Sequence, residues 1–70
     1  MSIVCIDLND IEPGQTWLED DGSERKIVSM QYAGGLPLII WRRTTGDKSK
    51  RYRQPMLSFV EQVVRRKSNL

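Results

Sequence analysis

The sequence predicts a small, mainly β domain: a barrel or strongly bent sheet of about five short strands, closed or capped by one C-terminal helix. Three observations lead there. Apolar and β-branched residues recur in short runs with a period of two. Glycine-bearing turn signals separate those runs. The one stretch with helical spacing comes last, after Pro55. Seventy residues make a single domain, 1–70. A chain of this size buries only about 60% of its unfolded surface.

The elements follow in order. Residues 2–8 alternate loosely, with Ile3 and Cys5 on one side and Val4, Ile6 and Leu8 on the other, which suits a strand. Glu12, Pro13, Gly14 and Gln15 form a turn, and residues 16–19 a short strand. Asp20, Asp21, Gly22 and Ser23 form a hairpin turn. In the next strand, residues 25–32, Lys26, Val28, Met30 and Tyr32 share one face, and Arg25, Ile27, Ser29 and Gln31 the other. Strict alternation half-buries that strand through Val28 and Met30. Ala33, Gly34 and Gly35 turn the chain into a strongly apolar strand, residues 36–43, where Pro37 is tolerated near the start. After a turn at residues 44–47, a polar strand is expected over 48–53. A helix is expected from about residue 55 to 67, opened by Pro55. Its buried stripe is Met56, Val60, Val63 and Val64, with Leu57 and Phe59 flanking it. Arg65, Arg66 and Lys67 then complement the negative helix end. Trp17 and Phe59 belong to the core on size and spacing.

Composition closes several functional routes. There is no histidine and only one cysteine, Cys5, so neither a Ser-His-Asp nor a Cys-His pair exists. Cys5 reads as a small core residue rather than a nucleophile. No internal disulfide forms, and zinc spacing is absent. Asp20 and Asp21 lack calcium-loop spacing and read as turn residues. Gly34 and Gly35 are followed by no Lys-Ser/Thr and open no helix, so they are not a phosphate loop. The chain is therefore expected to be non-enzymatic, with no cofactor and no metal. The lone cysteine suits a reducing compartment. No apolar run approaches the ~20 residues of a membrane span, and the start lacks a signal-peptide n-region. A cytoplasmic protein without a membrane partner is the expectation. With other staples closed, a homodimer is the remaining way to add stability to so small a core.

The net charge of +2 conceals a split. Residues 1–24 hold seven acids and no base, whereas residues 25–70 hold eleven bases against Asp47 and Glu61. Such asymmetry points either to a polyanionic partner or to an internal charge match. The bases concentrate at residues 41–53, where Trp41, Arg42, Arg43, Lys48, Lys50, Arg51, Tyr52 and Arg53 form a basic, aromatic hairpin. Lysine and arginine neutralise phosphates and release counterions. Tryptophan and tyrosine can stack bases, and a two-stranded ribbon can enter a major groove. The same segment also reads as a solvated hairpin with Trp41 buried and the arginine heads in water.

The motifs Pro13-Gly14-Gln15-Thr16-Trp17, Asp21-Gly22, Arg25-Lys26-Ile27-Val28, Ile40-Trp41-Arg42, Thr45-Gly46 and Leu57-Ser58-Phe59 belong together. Over residues 12–64 the chain resembles small SH3-like β-barrel proteins encoded by phages, prophages and other mobile elements, mostly of unassigned function. The resemblance implies an SH3-like barrel and a binding role. Two functions follow as expectations. One is a nucleic-acid-binding protein that uses the residue 41–53 hairpin, with Arg65, Arg66 and Lys67 in support. The other is a protein–protein adaptor or inhibitor acting on a host protein, also able to pair with itself. Its contacts would be the acids Glu19, Asp20, Asp21 and Glu24 and the edge strand at residues 2–8.

Overall fold

The computed structural model describes residues 8–67. The strand and core role expected for residues 2–7, Cys5 included, lie outside the described residues. Leu8 itself opens a short 3-10 turn, Leu8–Asp10. Five antiparallel strands then build one sheet: β1 (Thr16–Leu18), β2 (Glu24–Ala33), β3 (Leu36–Arg43), β4 (Tyr52–Pro55) and β5 (Arg65–Arg66). A single helix, α1 (Met56–Gln62), lies between β4 and β5. The strand order is β4-β3-β2-β1-β5. No ladder joins β4 to β5, so the sheet is open rather than a closed barrel.

The long β2–β3 hairpin is the spine. Its register ends at the pair Ala33 and Leu36. The two residues between, Gly34 and Gly35, have φ of 59° and 82°. Both central positions of a type I′ turn need positive φ, and that turn matches the twist of the flanking strands.

Partway down this hairpin the register shifts. Ile27 opposes Trp41, but Ser29 opposes Ile40, so Val28 is an extra residue on β2. Such a bulge reverses the alternation beyond it. Arg25 and Ile27 precede the bulge and Met30 follows it, and all three come to lie on the core face. The expectation that Val28 and Met30 share a half-buried face is therefore corrected. Val28 is exposed, Ile27 is fully buried and Met30 packs against the core.

Facing pairs place Ile27, Trp41 and Tyr52 in one row across the sheet, and Met30, Ile39 and Gln54 in the next. α1 covers this face and lies against β3 and β4. Met56 and Phe59 from α1, and Val63 just beyond it, close the core with Ile11, Trp17, Ile27, Ile39 and Trp41.

Two further expectations change. The polar strand placed at residues 48–53 begins only at Tyr52 and runs to Pro55, leaving 48–51 as loop. The helix ends at Gln62, not near residue 67, because Val63 turns extended at φ −115° and ψ 152°. The chain then pairs with β1. The Val64 amide donates to the Leu18 carbonyl, and the Lys67 amide to the Thr16 carbonyl, each at 2.8 Å. Val63 stays in the core while Val64 turns outward. Arg65 and Arg66 sit on a strand, so they do not complement the helix end. The ladder to β1 satisfies backbone groups that a further helical turn would have satisfied internally, and β-branched Val63 and Val64 favour it.

The bulge makes a direct prediction. Ile27→Ala should cost about 2–5 kcal/mol, whereas Val28→Ser should stay within about 0.5 kcal/mol. Urea unfolding followed by tryptophan fluorescence checks this. Comparable losses at both positions would contradict the register.

Candidate nucleic-acid interface

The basic residues divide into two groups according to the face of the sheet they occupy. On the core face, Arg25 is 7% exposed. Its Nε donates to Glu19 Oε2 at 2.7 Å, and its NH1 donates to Gln54 Oε1 and Gln62 Oε1 at 2.9 Å each. The guanidinium carbon lies 4.3 Å from the Trp41 ring centre and 5.8 Å from that of Phe59. Gln54 Oε1 also accepts the Trp41 indole N–H, while Gln54 Nε2 donates to Ser58 Oγ and Gln62 Oε1. One arginine therefore ties β2 to the β1–β2 turn, to β4 and to α1.

Arg43 opposes Arg25 across the β2–β3 ladder. It also reaches Glu19 Oε2, at 2.5 Å. Two like charges directly opposite one another repel, and here a shared carboxylate neutralises them. Burial works to raise the Glu19 pKa, but the hydrogen bonds and charges of Arg25 and Arg43 outweigh it and hold the carboxyl below its ordinary value of 4.5. A cleft of ≈ 380 Å³ beside this network is lined by Glu19, Asp20, Asp21, Arg25 and Gln62. Asp21 is a turn residue in fact as in sequence: its Oδ1 accepts the Ser23 amide at 2.9 Å.

Facing pairs place Lys26, Arg42, Arg53 and Arg65 on the opposite face. Lys26 opposes Arg42 directly. Arg53 opposes Ile40, two residues from Arg42 on the same side of β3. Lys48, Lys50 and Arg51 extend this basic region into the β3–β4 loop and are exposed. There Asp47 Oδ1 accepts the Ser49 hydroxyl and amide, and the Arg51 guanidinium donates to the Lys48 carbonyl.

Three of the eleven lysines and arginines are ion-paired: Arg25 and Arg43 with Glu19, and Lys67 with Glu24 at 2.9 Å. The other eight form no salt bridge among the described residues. They are Lys26, Arg42, Lys48, Lys50, Arg51, Arg53, Arg65 and Arg66.

The aromatic part of the sequence-predicted set goes elsewhere. Trp41 is 5% exposed and stacks on half-buried Tyr52, with ring centres 4.4 Å apart. Of the two alternatives the sequence left for Trp41, burial is the one observed. Arg43 turns toward Glu19 and lies 4.9 Å from the Trp41 ring centre. The structure thus puts Arg42 and Arg53 on one face of the sheet and turns Trp41, Tyr52 and Arg43 to the other. The loop bases adjoin the first group, but Lys50 also reaches Tyr52, with its Nζ 5.1 Å from the ring centre. It adds Lys26, which sequence reasoning missed. Lys26 and Arg42 meet only through the hairpin register, so no local motif marks the pair.

At the far end of the core face an apolar groove of ≈ 490 Å³ runs beside Leu8, Ile11, Pro13, Met30, Tyr32 and Met56. Among the described residues, no cluster of potential metal ligands is present, and no helix is long and apolar enough to cross a membrane. Comparison with known proteins finds no matching family model, curated protein or solved structure.

Two outcomes are expected from the Arg25 network. Arg25→Ala should cost about 3 kcal/mol, as for loss of one member of a buried ionic network, whereas Arg43→Ala should cost about 1 kcal/mol. Urea midpoints measure both. The depressed Glu19 carboxyl contributes stability above its unfolded value. That contribution should fade as pH falls from about 4.5 through the lower folded-state pKa. Glu19→Gln should remove part of this pH dependence, and an unchanged acid limb would refute the assignment.

Proposed function

We propose that this chain is a non-enzymatic binding protein, with an SH3-like framework of phage or mobile-element type, that holds nucleic acid through the outer face of its sheet and the β3–β4 loop. One observation carries the reading. Seven of the eight bases without ion pairs lie on the sheet face away from α1 or on the adjoining loop, Arg66 opposite Trp17 being the exception, whereas the ion-paired Arg25 and Arg43 lie on the core face. An extended surface of one sign attracts a polyanion and gains affinity by releasing its counterions. The strand order, the bulged β2 and the helix between β4 and β5 support the SH3-like reading of the framework.

Labelled oligonucleotides titrated at low salt test the function. With about four phosphates engaged, the slope of log K against log salt on duplex DNA should be roughly −3 to −4. Replacing Lys48, Lys50 and Arg51 together by Ser should weaken binding and make the slope shallower, with the fold retained because all three are exposed. Absence of binding below ~100 μM at low salt, where non-specific binders hold, would overturn the proposal.

A further inference from the structure

We infer that Lys26, Arg42 and Arg53 form a phosphate-binding track on the outer face of the sheet, and that its ligand is the backbone of a nucleic-acid duplex; this rests on the nucleic-acid reading above. The hairpin carries two successive cross-strand cation pairs, Arg25 with Arg43 and Lys26 with Arg42. The first is bridged by Glu19, which accepts from both guanidinium groups. The second has no carboxylate between its members among the described residues. The acid that shares its face, Glu24, is committed to Lys67 and to the Thr44 hydroxyl.

Directly opposed side chains lie about 5 Å apart at Cβ, and diagonal neighbours about 7–8 Å. One anionic group can therefore bridge Lys26 and Arg42 as Glu19 bridges the first pair. Arg53, on β4 and diagonal to Arg42 across the β3–β4 ladder, then meets the next phosphate. Arg42 spends one N–H on the Arg43 carbonyl at 3.0 Å. A guanidinium has five N–H donors, so four remain.

The same face explains the choice of duplex. Single-strand binders add base stacking on aromatic rings to their charge. Trp17, Tyr32, Trp41 and Tyr52 point to the core side of the sheet, by pairing with Arg25, Pro37, Ile27 and Trp41 respectively, and Phe59 lies in the core. The outer face thus offers charge without stacking. Charge density then decides, and a duplex carries one charge per ~1.7 Å of axis against ~3.4 Å per strand.

The test compares the full chain with Lys26→Gln, Arg42→Gln, Arg53→Gln and, on the other face, Arg66→Gln. Each is titrated with duplex and single-stranded DNA of equal length over a salt series. The duplex should bind at least about fivefold more tightly at low salt. Each outer-face variant should lower the duplex salt slope by about 0.9, one phosphate's share, and Arg66→Gln should leave it unchanged. Without DNA, Lys26→Gln should raise the urea midpoint at low salt, since it relieves the Lys26–Arg42 repulsion. This reading also confirms that the variant folds. If the parent chain binds neither DNA, the nucleic-acid reading itself fails. If it binds but the outer-face variants keep the parent slope, or single strands bind more tightly, the track is overturned while the broader reading stands.

Discussion

Arg25 is the residue on which the rest of this small structure depends. Taking a guanidinium out of water costs several kcal/mol even after relaxation. A core this small has only about 3–5 kcal/mol of net stability with which to absorb such a loss. The arginine is tolerated because its donors meet Glu19, Gln54 and Gln62, while Trp41 and Phe59 lie near its planar group. No buried side-chain polar atom among the described residues lacks a partner. The network also acts as a clamp. It joins segments 29 and 37 residues apart in sequence from Arg25, and so fixes where β4 and α1 sit against the sheet.

That clamp shapes the candidate interface indirectly. Burying Arg25 on the core face requires Lys26 to face the other way, because neighbouring residues on a strand alternate. The same rule turns Arg42 outward once Trp41 and Arg43 face inward. The Val28 bulge lets both ends of β2 present side chains to the core: Arg25 and Ile27 before it, Met30 after it. A basic outer face is thus the geometric complement of a core that has taken in one arginine and the indole of Trp41. Glu19 neutralises the inward cation pair, and the outward pair has no comparable acid among the described residues.

Much of the architecture was readable from local pattern. The β2–β3 hairpin, its Gly34-Gly35 turn and the Glu19–Ser23 turn region stand close to where alternation and turn chemistry place them. The failures have specific causes. Val28 inserts one residue into a ladder, and nothing in the residue types around it announces the shift. Residues 63–67 suit a helix end by charge and a strand by β-branching, and only the open edge of β1 decides between them. In the basic segment, half-buried Arg42 and the exposed Arg53 and loop bases could be picked out as candidate contacts from the local cluster of charge. Lys26 could not, because its partner is 16 positions away and is brought opposite only by register.

The sequence alone settles most of the element types and tight turns, the absence of histidine, and the division between an acidic first third and a basic remainder. These properties depend on residue identity and near neighbours. The tertiary structure decided which cations are neutralised and which are not. That outcome rests on pairing register and on side chains that meet across the sheet, where a shift of one residue exchanges the two faces. The acidic–basic split is therefore partly internal: Glu19 and Glu24 hold Arg25, Arg43 and Lys67. The remaining bases, gathered mainly along the outer sheet face and the β3–β4 loop, are what the fold leaves for a partner.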